Sequence, residues 1–236
     1  MDPVTIFRFS PTEGPGYFST FLDRHGIDWR VIALDAGEPV PQSLDGIRGI
    51  GVMGGAMSVN DDLPWVEPIG ALLRKAVAAD MPVIGHCLGG QMLAKALGVA
   101  VTRSPNVEIG WHEVAIESAP VAREWFGDLD RFQTFEWHNE SFALPPGATR
   151  VLTNPACPNQ GYVIGRSIGL QCHIEMTREM IELWVHEGVG DLDCNGRPNG
   201  YVQSAARITG NLDLDLAGLN RVADKIYGRW IAGLGA

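Results

Sequence analysis

One cysteine stands where a nucleophile could work. Residues 82–98 read PVIGHCLGGQMLAKALG, with Cys87 between Gly85-His86 and Leu88-Gly89-Gly90. Pro82 to Gly85 has the composition of a short buried strand. Beyond it Leu88, Met92, Leu93, Ala96 and Leu97 recur at helical spacing, and Gly98 is a natural C-terminal stop. Strand, sharp turn, cysteine and helix is the layout of a nucleophile elbow, with cysteine where hydrolases often carry serine. Such a turn needs small neighbours, because strand and helix backbones approach closely around it. A helix N-terminus favours thiolate, the reactive form, and the next backbone N–H is free to help stabilise an oxyanion. Isolated cysteines are more often buried structural ones. Flanking glycines and an available histidine partner argue for chemistry here.

A thiolate nucleophile needs a base, and the base needs an orienting group. Six histidines compete. His173 lies in Gly169-Leu170-Gln171-Cys172-His173-Ile174-Glu175 at the end of a predicted strand. Residues i and i+2 of a strand face the same way, so Glu175 is placed to reach the His173 imidazole. His138 is a rival, since Trp137-His138-Asn139-Glu140 also carries H-x-E after a strand. His86 adjoins the cysteine and should point away from it. His25, His112 and His186 read as surface or packing residues. Spacing alone does not separate His173 from His138.

The elements that must hold these groups read as an α/β pattern. Val4–Phe9, Arg30–Leu34 and Ile47–Met53 are strand candidates, the third ending in Gly54-Gly55-Ala56-Met57-Ser58. Helices are expected over Gly14–His25 and Pro64–Ala79, the latter presenting Trp65, Ile69, Leu72, Leu73 and Ala76 on one face. This alternation predicts βαβ units in a doubly wound, mostly parallel sheet with flanking helices. After Gly98 shorter strands follow at Val99–Arg103, Glu108–Ile116, Arg131–Trp137, Thr149–Thr153, Tyr162–Ile164 and Ser167–Cys172, so peripheral antiparallel strands are expected. A helix over Thr177–Glu187, a polar connection over Gly188–Pro198 and helices over Asn199–Thr209 and Leu214–Leu234 complete the reading. One domain over residues 1–236 is expected, with a motif-bearing core over about 48–176 and C-terminal helices over about 177–236.

Composition narrows the function. A formal net charge of -10, without any lysine or arginine block, argues against a nucleic-acid partner. No apolar stretch approaches a membrane span, and the N-terminus lacks the pattern of a signal peptide. Cys87, Cys157, Cys172 and Cys194 show no C-x-x-C spacing, so free thiols in a reducing cytoplasm are expected. No metal-ligand spacing and no cofactor fingerprint stands out.

Taken together, Gly54-Gly55-x-Met57-Ser58, Gly85-x-Cys87-Leu88-Gly89-x-Gln91 and His173-x-Glu175 resemble the class I, triad-type glutamine amidotransferases. The likeness is to stand-alone proteins related to the glutaminase domain of GMP synthase, and it extends to Glu108-Ile109-Gly110-Trp111 and Trp137 to Phe142. It implies that Cys87 attacks the side-chain amide carbon of glutamine, forming a γ-glutamyl thioester and releasing ammonia. His173, oriented by Glu175, protonates the leaving ammonia and then activates water. The backbone N–H groups of Gly55 and Leu88 would form the oxyanion hole. Gly54, Gln91, His138 and Asn139 would line the glutamine pocket, which moves His138 from catalysis to the wall. Three positions depart from the family pattern. Ile174 replaces a usual proline, His86 replaces an apolar residue, and Glu140 stands where aspartate is commoner.

The expected activity is hydrolysis of a γ-glutamyl amide, with ammonia used by a separate synthetase, since the sequence leaves no room for one. The alternative is an independent γ-glutamyl peptidase or hydrolase, to be told apart by pocket size around Met57, Val107–Trp111 and Tyr162. A non-catalytic binding protein on the same fold is a weaker third reading, because a decayed enzyme loses its reacting groups first and all three stand.

Overall fold

A computed structural model describes residues 1–192 and 200–235. Residues 193–199, which hold Cys194, the end of the expected polar connection and the first residue of the helix expected from Asn199, lie outside the described residues. The first hundred residues alternate as their apolar periodicity predicts. Strands β1 (Val4–Arg8), β2 (Trp29–Ala33), β3 (Gly49–Val52) and β4 (Val83–His86) run parallel in spatial order β2-β1-β3-β4. Helices α1 (Gly16–Arg24), α2 (Val66–Ala78) and α3 (Leu88–Ala96) follow β1, β3 and β4 respectively.

The second half widens the sheet. It contributes β5 (Val101–Ile116), α4 (Pro120–Phe126), β6 (Arg131–Phe142), β7 (Thr149–Thr153), β8 (Gly161–Ile164) and β9 (Ser167–Leu170). Strand β9 returns to pair parallel with β4, and β8, β7, β5 and β6 extend the same nine-stranded sheet antiparallel. Helices α5 (Arg178–Glu187), α6 (Val189–Leu192), α7 (Ala205–Thr209) and α8 (Leu212–Ile231) follow.

Every residue of β3, β4 and β9 is buried. Strands covered on both faces read as continuous apolar and glycine runs rather than alternating ones. One face packs on α1 and α8, where Phe18 and Phe21 meet Tyr227 at ring-centroid distances of 4.7 and 5.4 Å. The other face carries α2 and α3 through Ile69, Leu72, Leu73, Met92 and Leu93. The result is the doubly wound α/β architecture expected.

Several boundaries differ from the sequence reading. Val99–Arg103 and Glu108–Ile116 are one strand, β5, whose register breaks between Arg103 and Glu108. Pro105 falls in that break, where it has no N–H to give to the ladder. Strand β6 runs on through His138 to Phe142 instead of ending at Trp137. Strand β9 ends at Leu170, so His173 is not on a regular strand but on a single antiparallel bridge to Phe135. Helix α4 was not expected; it is short and starts with proline at its N-terminus. The helix expected from Asn199 is confined to Ala205–Thr209, capped by the Ser204 hydroxyl.

Candidate active site

Cys87 occupies the turn between β4 and α3 with φ 49° and ψ −108°. Among the described residues only Asp80 shares a positive φ without being glycine. Such a conformation is strained for an L-residue and persists only where its surroundings fix it. Here they do so on both sides. The Cys87 N–H donates to the Leu170 carbonyl at 2.9 Å, and the Cys87 carbonyl accepts from Gln91 N–H at 2.9 Å. The two glycines that follow let α3 settle between strand ends. A Cβ on Gly89 would collide with the Val52 carbonyl oxygen of β3, and one on Gly90 with the Leu170 carbonyl oxygen of β9. A Cβ on Gly85 would stand 2.5 Å from the Gly89 backbone. The requirement for small neighbours is therefore a requirement of main chain against main chain.

Around the sulfur, Gln171 donates its side-chain amide N–H to Sγ at 3.7 Å, and the thiol lies 3.9 Å from the Trp137 carbonyl oxygen. The His173 imidazole interacts with the Cys87 thiol and hydrogen-bonds through Nδ1 to Glu175 Oε1 at 2.6 Å. Both His173 and Glu175 are about 1 % exposed. Burial alone would lower the His173 pKa, but the charge of Glu175 and the contact with Cys87 outweigh it and raise it well above the ordinary value. Burial likewise works to raise Glu175, yet His173 and His86 hold it down at about 2. An imidazolium held by an ionised carboxylate follows. The bend after β9, not strand alternation, brings His173 and Glu175 together.

His138 answers the other H-x-E differently. On the β5–β6 ladder it stands directly across from Glu108, and Glu136 precedes it by two on the same face. His138 Nε2 lies 3.1 Å from Glu108 Oε2 and 3.4 Å from Glu136 Oε2, while Nδ1 donates to the Glu140 carbonyl at 3.1 Å. Both ring nitrogens thus point at acceptors, and the two glutamates raise the His138 pKa well above its ordinary value despite burial. The Nε2–H donates to the nearer carboxylate, that of Glu108. Glu136, fully buried and with only the longer, shared contact to His138, is pushed up to about 7 by burial, with Glu108 adding to the shift and His138 opposing it. Asn154 and Gln160 complete the Glu108 carboxylate with hydrogen bonds of 2.6 and 2.8 Å. Glu108, His138 and Cys157 have ligand atoms within 4.8 Å of one another, a spacing a metal ion would accept. The Glu108 oxygens are already occupied by three donors, so the cluster is satisfied by protons.

The remaining expected residues fall as follows. Gly54 lies against His173: a Cβ there would stand 2.9 Å from His173 Cε1. A Cβ on Gly55 would stand 2.5 Å from Leu88 Cδ2 and 2.5 Å from Met57 Sδ, so this stretch and the start of α3 are in contact. Gln91 donates to the Glu140 carbonyl at 3.1 Å and to Gln171 Oε1 at 3.2 Å, which ties α3 to β6 and to the bend after β9. Asn139 is exposed on β6. Glu140 accepts from the Ser58 hydroxyl at 2.7 Å, joining the glycine-rich loop to β6. Tyr162 and Trp111 are not pocket walls. Tyr162 is fully buried with its hydroxyl on the Gly90 carbonyl, and Trp111 Nε1 donates to the Ile208 carbonyl.

Four side chains of this region were not anticipated as parts of it. Gln171 touches the sulfur directly. Trp184 of α5 packs edge-on to the His173 ring at 5.0 Å between centroids. His86 turns away from Cys87 as expected but reaches beneath Glu175, with Nε2 3.9 Å from Glu175 Oε2 and 3.2 Å from the Tyr227 hydroxyl. Glu13, beyond β1, approaches Gly54 on the side that His173 approaches, with Oε2 2.6 Å from where a Cβ of residue 54 would stand. Its signal in the sequence is an acid set in Glu13-Gly14-Pro15-Gly16 just after a parallel strand, and open α/β sheets build their sites beyond the carboxyl ends of such strands.

A cysteine on a strained strand–helix turn beside a buried His–Glu pair, at the carboxyl ends of β3, β4 and β9, defines a thiol-centred α/β site. Residues 22–181 match the Glutamine amidotransferase class-I family, and the chain belongs to that family. It is 31% identical over 204 residues to the glutamine amidotransferase-like protein YfeJ of Salmonella typhimurium, covering 83% of this chain and 84% of that one. It is 32% identical over 161 residues to the GMP synthase of Aeropyrum pernix, covering 65% of this chain but 29% of that enzyme. The crystal structure of a glutamine amido transferase from Methylobacillus flagellatus superposes with a TM-score of 0.96 at 45% identity, covering all of this chain and 96% of that one.

Proposed function

We propose that the protein is a cysteine-dependent glutaminase of the class I amidotransferase type. The observation that carries this reading is Cys87 at positive φ, facing an imidazole that Glu175 holds through a 2.6 Å hydrogen bond. Cys87 Sγ attacks the side-chain amide carbon of glutamine. The new C–S bond replaces the C–N bond, and His173 gives its proton to the departing nitrogen, which leaves as ammonia. The backbone N–H groups of Gly55 and Leu88 carry the tetrahedral oxyanion. Water then loses a proton to His173, attacks the thioester and releases glutamate and the thiol. Gly54, Gln91, His138 and Asn139 belong to the pocket, His138 and Gln91 by bracing main chain rather than by touching substrate. The likeness to GMP synthase supports delivery of the ammonia to a synthetase on another chain. Cys87, Cys157 and Cys172 are free thiols, which supports a reducing cytoplasm. The sequence is read as a single catalytic domain needing no cofactor.

Ammonia and amine release are to be measured side by side on glutamine and a panel of γ-glutamyl peptides, with Cys87→Ser, His173→Ala and His138→Ala as variants. Glutamine is expected to be turned over fastest, Cys87→Ser to be inactive, and His173→Ala to lose about a thousandfold or more. His138→Ala should melt earlier yet keep most of its rate when assayed cold. Faster turnover of the peptides would give the activity to a γ-glutamyl peptidase instead. Equal losses at both histidines would remove the distinction between them.

A further inference from the structure

Glu13 is a carboxylate in the centre that the glutaminase chemistry above does not use. It is 9 % exposed and sits in the loop between β1 and α1. That loop is tied to the bend carrying His173 and Glu175 and to the helix beyond it. The Tyr17 N–H donates to the Glu175 carbonyl at 2.7 Å, and the Trp184 indole donates to the Thr12 carbonyl at 3.0 Å. Gly16, at φ 49°, lies so close to the Glu175 carbonyl that a Cβ there would collide with it. Glu13 Oε2 and His173 Cε1 converge on one face of Gly54, at 2.6 and 2.9 Å from the point a Cβ would occupy. Glycine at 54 therefore makes room for both. The Ala56 N–H donates to the Glu13 carboxylate from the glycine-rich loop.

We propose that Glu13 is a positioning residue of the Cys87–His173–Glu175 centre. Its carboxylate braces the imidazole from the Cε1 side, keeping Nδ1 on Glu175 and Nε2 toward the sulfur. The ionisable groups that face it are His173 and Glu175; the glycine-rich loop adds only backbone, and α5 adds the uncharged Trp184. Burial pushes Glu13 up to about 7, with His173 pulling against that shift and Glu175 adding to it. Below this value Glu13 holds a proton and its hold on the imidazolium weakens; above it the negative charge returns. The consequence for turnover rests on the glutaminase reading. The consequence for the His173 ring does not.

The test is the pH titration of the His173 Cε1–H resonance in the full chain labelled at histidine, assigned by its loss in His173→Gln, with Glu13→Gln beside wild type. Wild type should show a step with midpoint near pH 7. The Glu136 carboxyl titrates in the same range and acts on His173, so the step should persist in Glu136→Gln and be absent when Glu13→Gln is added to Glu136→Gln. In parallel, kcat for glutamine should rise through the same step in wild type. In Glu13→Gln it should be pH-independent there and about tenfold lower at unchanged KM. No step in wild type, or the same step in Glu136→Gln with and without Glu13→Gln, overturns the proposal. Should Glu13→Gln misfold, Glu136→Gln keeps the test: a step that persists there belongs to Glu13, and one that is lost with Glu136 overturns the proposal. A step without any turnover would defeat the glutaminase reading and leave the brace standing; turnover without a step would do the reverse.

Discussion

Two glutamates with similar burial titrate in opposite directions because of what faces them. Glu175 has an imidazolium against one oxygen and is held at about 2. Glu136 shares the His138 ring, 3.4 Å away, with the closer Glu108, and burial together with the Glu108 charge outweighs that ring and raises it to about 7. The fold binds the Glu136 proton more tightly than the unfolded chain, whose glutamates titrate near 4.5. Its stabilising contribution is full below that value and is lost as pH rises through about 7. Glu175 does the opposite, contributing fully above 4.5 and losing its contribution as pH falls through about 2. We predict that chemical-denaturation stability measured from pH 4.5 to 8 falls by roughly 3 kcal/mol less in Glu136→Gln than in wild type. Parallel curves would mean that Glu136 is ionised throughout. At this scale the sequence was informative wherever two reacting groups lie close along the chain, as in His173-x-Glu175. It was silent on Gln171 and Trp184, whose neighbours come from other elements, and for Glu13 it offered only an acid in a glycine-rich turn after a parallel strand.

The elbow is the element on which the centre depends. The strand of residues 82–85, the turn at Cys87 and the helix ending before Gly98 were all legible, because apolar run, glycines and helical spacing change abruptly within seventeen residues. The glycine pair was legible as a need for close approach, but not the partners approached, which are β3 and β9. Gly89→Ala should destabilise by about 3 kcal/mol and abolish turnover, since its Cβ meets Val52 main chain that cannot swing aside. Gly70→Ala in α2, whose Cβ would meet only the end of Arg74 at 3.4 Å, should instead stabilise by about 1 kcal/mol. Thermal melts of both variants check the pair; a neutral Gly89→Ala would show that α3 can ride higher over the sheet. Less legible were β5 and β6. Local pattern broke β5 in two at Pro105 and ended β6 early, whereas cross-strand pairing carries both through.

Over the whole molecule, the parallel strands β1, β3, β4 and β9 deliver Glu13, the glycine-rich loop, Cys87 and His173 to one end of the sheet. The parallel core was readable from element order; the position of β9 beside β4 was not, since two helices and the four antiparallel strands β5 to β8 intervene and only tertiary packing sets their order. That one placement joins nucleophile and base. Among the described residues no helix is long and apolar enough to cross a membrane. The acyl-enzyme itself offers the sharpest trial: intact-mass spectrometry of the protein quenched in acid during turnover of glutamine. An adduct of about 129 Da, the mass of glutamine less ammonia, is expected on wild type and on the peptide holding Cys87, and absent from Cys87→Ser. Ammonia release from glutamine by Cys87→Ser at the wild-type rate, or an adduct on Cys157 or Cys172 instead, would contradict a mechanism centred on Cys87.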